Sequence, residues 1–335
     1  FMNSVIVEKF FNKIIMYSFV NWYNHSFLMN NNITFLLPIK DRFNFTKRFL
    51  KSFDHSNQIP IIISDGSAVK YFDHELDNLI KNNNKIKYIK YNYDKDYQTF
   101  LNKLYKSILL VETEYVLIAC DDDFYFIDQI LEGVRFLESN PDYAMFKSKV
   151  KNFKINSNFK NLGNFGIYGE LELMGDNYKI YNELIEENSI LDRSKRIQDC
   201  YPYEGIHRTS ILKKALEITV NVNCFHHNIF IDILRYLIFF NGKVIFKDKY
   251  ILAHQVNTPS SAGETHLNSF DKLKLKLSKR YSDCYSSIIN EFNSNFFNEY
   301  SEQEKKKIIN QIKANLNEEI QSFKNLKKNN KKIKI

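Results

Sequence analysis

The chain has 335 residues, 44% hydrophobic and 26% charged, a balance that excludes a disordered or fibrous polymer and allows one large α/β domain or two smaller ones. Cysteines at 120, 200, 224 and 284 form no CxxC pair and no Cys/His metal spacing, which argues against a disulfide scaffold and fits a reducing cytoplasm. A formal charge of +8 asks for a polyanionic partner, whether nucleotide phosphates, anionic lipid or nucleic acid.

No basic leader with a small-residue cleavage site opens the chain, so no secretory signal is expected. Residues 1–32 are apolar and aromatic, but Glu8, Lys9, Lys13, Asn21, Asn24 and His25 interrupt them. No span there reaches the roughly 18 apolar residues a membrane helix needs, so an N-terminal helical extension packed on the domain or lying at a membrane interface is expected.

A sheet begins at Ile33–Leu37, stopped by Pro38, followed by Lys40-Asp41-Arg42 and a helical pattern through Phe45, Phe49, Leu50 and Phe53. Pro60–Ile63 reads as a second buried strand, broken by Ser64-Asp65-Gly66-Ser67; a helix over 70–81 and a strand at Ile86–Tyr91 follow. Phe100, Leu101, Leu104, Ile108 and Leu109 are spaced as a helix leading into the strand Tyr115–Ala119, and Phe126–Ser139 is a further helix. Strands alternating with helices predict a doubly wound, mostly parallel sheet.

From about 145 to 200 the periodicity weakens, and irregular strands and loops are expected. Ser210–Glu217 and Ile229–Phe240 read as helices, Lys243–Phe246 and Tyr250–Ala253 as late strands, and Pro259–Gly263 as a loop. At the end, Ser301 with Glu304 is a capping-box pattern before an amphipathic helix through Ile309, Ile312, Leu316, Ile320 and Phe323. Its basic tail, Lys327 to Lys334, is either a solvated end or a hold on an anionic bilayer, at about 1 kcal/mol per cation.

The chemistry centres on Asp121-Asp122-Asp123, which follow the buried strand directly. Three adjacent acids do not belong in a core; at a strand's carboxyl end they face the ligand crevice of an open α/β sheet, where Mg²⁺ or Mn²⁺ would relieve their repulsion. The alternative is an acidic turn with Asp123 as the N-cap of the next helix. Topology brings Pro38–Arg42 and Ser64–Ser67 to the same crevice. There Asp65 can accept hydrogen bonds from a base or ribose, Gly66 lets the backbone turn closely, and Lys40 and Arg42 can meet phosphates.

These residues, taken in order, resemble the inverting nucleotide-sugar glycosyltransferases of family 2 with the GT-A fold. The chain is most similar to a bacterial branch with an Ala-Asp-Asp-Asp-Phe-like signature, here Ala119-Cys120-Asp121-Asp122-Asp123-Phe124. The resemblance spans about Ile33 to Gly263 and includes Leu37–Arg42, Ser64–Ser67, Asn102-Lys103, Phe136–Tyr143, Tyr203–Thr209, Phe230–Leu234, Gly242–Val244 and Tyr250–His254.

It implies a GT-A (Rossmann-like) α/β domain over 33–265, nucleotide-binding over 33–125 and acceptor-binding over 126–265, with added terminal helices over 1–32 and 266–335. By the same resemblance Asp41 and Asp65 contact the nucleotide, with Pro38, Lys40, Arg42, Gly66, Ser67 and Lys103 around the donor. The triplet then holds ribose and metal, Asp121 on the donor and Asp122 and Asp123 on Mn²⁺ or Mg²⁺; which acid ligates stays open. His254 stands where many such enzymes place a third metal ligand; a plain hydrogen-bonding histidine is its other reading.

Inversion needs a base for the acceptor hydroxyl's proton. Asp232 matches the family's acidic position, in a run too apolar for a casual carboxylate; an Asp232–Arg235 pair is the alternative, and Glu204 is the reserve candidate. Lys103 could instead be a solvated helix lysine, and His226-His227 read as histidines near the acceptor cleft. Cys120 departs from the family, where many members carry an acid, and the Gln-x-x-Arg-Trp pattern of processive synthases is missing, which argues for single-sugar transfer.

The resemblance implies a nucleotide-sugar donor, UDP-linked, and a hydroxyl of a bacterial surface glycan or lipid-linked precursor as acceptor; a cytoplasmic protein, free or at the inner face of the membrane, is expected. A nucleotidyltransferase would need a Gly-rich loop after the first strand, which Pro38–Arg42 lacks. A nucleic-acid-binding protein would need a basic groove, and the basic residues cluster in the tail instead.

Overall fold

The computed structural model describes residues 32–53, 59–69, 74–156, 170–175, 184–256, 258, 277–298 and 300–332. The expected N-terminal helix and the Pro259–Gly263 loop lie outside the described residues.

The apolar runs expected as strands form one half of a mixed sheet. Ile33–Ile39 (β1), Ile61–Asp65 (β2), Ile86–Lys90 (β3) and Tyr115–Ile118 (β4) pair in parallel in the order β3-β2-β1-β4. Phe43–Phe53 (α1), His74–Lys81 (α2) and Tyr97–Ile108 (α3) are the crossovers. Because side chains alternate across a strand, β1 divides its residues between two cores. Ile33, Phe35, Leu37 and Ile39 join Phe49, Leu50 and Phe53 of α1, whereas Leu36 joins Phe100, Leu104 and Ile108 of α3. Pro38 does not stop β1, which runs on through Ile39 in register with β2. Asp96 caps α3 by accepting from Thr99 N at 2.8 Å, a contact worth about 1 kcal/mol.

The second half is Phe124–Tyr125 (β5), Ile127–Ser139 (α4), Tyr143–Asn156 (β6), Glu170–Leu173 (β7), Ile190–Lys195 (α5), Ile206–Arg208 (β8), Thr209–Asn221 (α6), His227–Asn241 (α7) and Lys243–Gln255 (β9). The sheet continues β4-β8-β6-β9-β5, with β8 antiparallel to β4 and β6, and β6 parallel to β9.

Two expectations change here. The stretch from 145, read as irregular, carries the 14-residue strand β6, and the two late strands are one, β9. Period-2 patterning hides both, because polar residues inside β6 are buried on remote partners: Lys147 Nζ donates to Tyr201 O at 2.6 Å and Ser148 Oγ to Lys247 O at 2.9 Å. Register shifts at Ser148–Val150 then break the alternation.

Lys279–Phe296 (α8) and Glu302–Lys332 (α9) close the described chain. Ser301 and Glu304 form the expected capping box, with Ser301 N donating to Glu304 Oε2 at 3.0 Å and Glu304 N to Ser301 Oγ at 3.3 Å. Ile308 and Ile312 of α9 are buried, and Asn315 Nδ2 donates to Ser194 O at 2.8 Å. Among the described residues, no helix is long and apolar enough to cross a membrane.

Candidate active site

Strand directions bring distant residues to one place. β1, β2 and β4 are parallel, so the loops after Ile39, Asp65 and Ile118 leave the same edge, at the point where chain order reverses across β1. β8 runs antiparallel to β4, which returns the segment entering β8, with Glu204, to that edge. β5 pairs antiparallel with β9 in the register Phe124↔Ala253, placing residue 123 across from residue 254.

On the β2 side, Asp65 is fully buried; its Oδ1 accepts from Ser67 N at 2.8 Å and its Oδ2 from the Tyr88 hydroxyl. Asp41 takes φ 54°, its N–H donates to Ser67 Oγ at 2.7 Å, and its Oδ1 accepts from Ala68 N at 2.9 Å. Gly66 is required by close approach, since a Cβ there would lie 2.2 Å from Asp94 Oδ2. Lys40 Nζ donates to Asp94 O at 2.6 Å. Pro38, Lys40, Asp41, Asp65, Gly66 and Ser67 are therefore one cross-linked group of loops. Lys103 is neither solvated nor turned to the crevice opening: it is 3% exposed, paired with the Asp94 carboxylate, and donates to Ile39 O at 3.1 Å. Burial pushes both partners toward their neutral forms, Asp94 up and Lys103 down, against their mutual attraction.

All three acids are buried. Arg42, expected to meet phosphate, turns to the triplet instead: its Nη2 lies 3.2 Å from Asp121 Oδ1 and 2.8 Å from Asp122 Oδ2. Asp122 Oδ2 also accepts from Thr258 Oγ1 at 2.6 Å. Arg48 anchors the turn by donating to Asp122 O at 2.8 Å and to Gln255 Oε1 at 2.7 Å. Sequence reasoning missed Arg48, although its place on the apolar face of α1, between Phe45 and Phe49, was a visible signal.

Burial and its neighbouring acids push Asp121 up to about 7 despite Arg42. Asp122 is held low, because Arg42 and Thr258 outweigh the cost of burial.

Asp123 faces the other way. His254 Nδ1 is 2.8 Å from its Oδ1, and Tyr125 OH is 3.5 Å from its Oδ2. Ligand atoms of Asp123, Glu204 and His254 all lie within 4.8 Å of one another, and those of Cys120, Asp122 and Asp123 form a second such group. Glu204 is 7% exposed and takes φ 65°, and among the described residues its Oε2 is buried without a hydrogen-bond partner. An orphaned carboxylate oxygen beside another carboxylate and an imidazole is a donor set that fits a divalent cation, Mn²⁺ tolerating the imidazole better than Mg²⁺.

Without a cation the proton substitutes for it. Burial opposes charge on His254, but Asp123, Glu204 and Asp122 outweigh it and push the imidazole up to about 10. Burial pushes Asp123 up to about 6 even with that partner. Near neutral pH the pair is therefore imidazolium and carboxylate.

Asp232, the expected base, pairs with Arg235, Nη1 to Oδ1 3.3 Å, and is 7% exposed. Arg208 is held at the far end of the sheet by Glu114, Tyr143 O and Leu137 O. His227 Nδ1 lies 3.2 Å from Tyr97 OH, and His226 caps α7 by accepting from Asn228 N at 3.1 Å.

No protein-family profile matches the sequence, and no curated protein matches it. Among solved structures the chain is similar to a crystal structure of S. aureus TarS 1–349, at 13% identity and TM-score 0.45, covering 83% of this chain and 78% of that one. It is also similar to the same segment in complex with UDP-GlcNAc, at 14% identity and TM-score 0.47, covering 83% and 79%. A further S. aureus TarS crystal structure aligns at 14% identity and TM-score 0.46; the chain spans 47% of that molecule.

Proposed function

We propose that the protein is a glycosyltransferase that moves a sugar from a nucleotide-diphosphate donor, UDP-linked, to an acceptor hydroxyl, with inversion at the anomeric carbon. The observation that carries this is the convergence of Asp123, Glu204 and His254, one carboxylate oxygen unpaired among the described residues, at the sheet edge that also holds Asp41 and Asp65. The cross-linked loops around Asp41, Asp65 and Gly66 would hold base and ribose, and Arg42 would keep Asp121 and Asp122 folded beside them.

Asp123, Glu204 and His254 would hold Mn²⁺ or Mg²⁺, which when bound offsets charge on the diphosphate leaving group. Glu204 thereby changes from reserve base to ligand, and Asp122 is the weaker ligand because Arg42 and Thr258 already occupy it. In the reaction the acceptor oxygen bonds to the anomeric carbon as the bond to the diphosphate breaks; the diphosphate leaves with the electron pair and the acceptor proton passes to a base. A bacterial surface glycan or its lipid-linked precursor is the acceptor class to which the sequence resemblance leads.

Turnover of UDP-, GDP-, CMP- and TDP-sugars, with and without EDTA, tests this in the wild type and in Asp123→Ala. Loss of turnover in both treatments is expected. Full turnover after chelation, or in Asp123→Ala, would defeat it.

A further inference from the structure

The position of Glu204 depends on a backbone segment outside any helix or strand. Between Asp199 and β8 the chain passes through Cys200–Gly205, and three consecutive carbonyls there are each met by a buried side chain from a different element. Cys200 O accepts from Arg235 Nε of α7 at 2.6 Å, Tyr201 O accepts from Lys147 Nζ of β6 at 2.6 Å, and Pro202 O is 2.9 Å from His207 Nε2 of β8. These side chains are 7%, 2% and 1% exposed.

A carbonyl can only accept, so His207 carries its proton on Nε2; burial, which pushes it down to about 4, keeps the ring neutral. Burying a lysine and an arginine is costly, and neutral donors would suffice merely to close a loop. Two residues beyond Pro202, Glu204 adopts the left-handed backbone that L-residues avoid.

Arg235 is itself fixed by Asp232. The titrating groups that feel Asp232 include Cys224, Tyr236, Tyr281 and Tyr285, between α7 and α8. Those that feel Glu204 include Cys120, Asp123, Tyr125, Lys147 and His254. The two carboxylates are joined through Arg235 and the Cys200–Glu204 backbone.

We propose that Arg235, Lys147 and His207 are positioning residues that clamp Cys200–Pro202 and so hold the Glu204 carboxylate beside Asp123 and His254, and that Asp232 supports this clamp through Arg235. The role given to Glu204 rests on the cation reading above; the clamp itself does not.

The test uses full chains carrying Asp232→Asn, Arg235→Lys or Lys147→Met, with amide hydrogen exchange over residues 200–206 and affinity for Mn²⁺ alone. Exchange in that segment should quicken while β4 and β9 stay protected, and Mn²⁺ affinity should fall about 10–100-fold, the usual effect of losing a supporting group. Arg235→Lys, which keeps a donor, should be the mildest. The loss of Mn²⁺ affinity caused by Asp232→Asn should be smaller in a Glu204→Gln background.

Wild-type exchange over 200–206 in an Asp232→Asn chain that has lost turnover would overturn the proposal, as would uniformly faster exchange throughout the chain. If the wild type neither binds Mn²⁺ nor turns over a sugar donor, the cation reading fails, and the exchange data still decide the clamp.

Discussion

Replacing Glu204 by glycine should separate stability from function. Glu204 sits at φ 65°, where a Cβ crowds the following carbonyl and costs roughly 1–2 kcal/mol. Alanine and glycine both remove the Glu204 carboxylate; they differ only in that Cβ. Glycine avoids the crowding but gives up roughly 0.5–1 kcal/mol in chain entropy. Glu204→Gly should therefore be more stable than Glu204→Ala by about 0.5–1 kcal/mol, the reverse of the usual order in a helix or strand. In a domain of this size that is a Tm difference of a few degrees at most, about 2–4 °C per kcal/mol, readable by calorimetry on the two variants side by side. Both should bind Mn²⁺ more weakly than the wild type, by at least about the 10–100-fold that loss of a supporting group costs. If alanine proves the more stable, or if either variant binds Mn²⁺ as the wild type does, the strained-ligand argument is wrong.

Two further outcomes follow from the acids. Arg42→Met should destabilise by about 3–5 kcal/mol at pH 8, because it strands buried carboxylates. The loss should shrink by pH 5.5, as Asp121, already at about 7, takes up a proton; urea unfolding at the two values checks this. For the cation-free chain, Asp123 is raised to about 6 and His254 to about 10, so the folded state binds more protons than the unfolded one. The stabilisation tied to Asp123, on the order of 3 kcal/mol, should be present below pH 4 and lost as pH rises to about 6. That tied to His254 should be full below its ordinary 6.5 and lost as pH rises through about 10. Mn²⁺ must displace the imidazole proton, so its stabilising effect should grow from pH 6 to pH 9; equal thermal shifts at both would contradict the assignment.

The sequence by itself determined the first, parallel half of the sheet. Buried apolar runs spaced by helical patterns are a local signal, so β1 to β4 and their crossovers were legible from period alone, and the acids had to fall at a strand's end. What local pattern does not encode is which distant residues face one another. That Arg42 would neutralise Asp121 and Asp122, that Lys103 would be buried on Asp94, and that Asp232 would be taken by Arg235 depend on strand order and loop path. The strand β6 was hidden because its buried lysine and serine find partners about 50 to 100 residues away. Glu204 joins Asp123 and His254 only because β8 runs antiparallel to β4 and β5 pairs with the end of β9. Period and composition fix what a segment becomes; the site exists where long-range register puts three such segments at one edge.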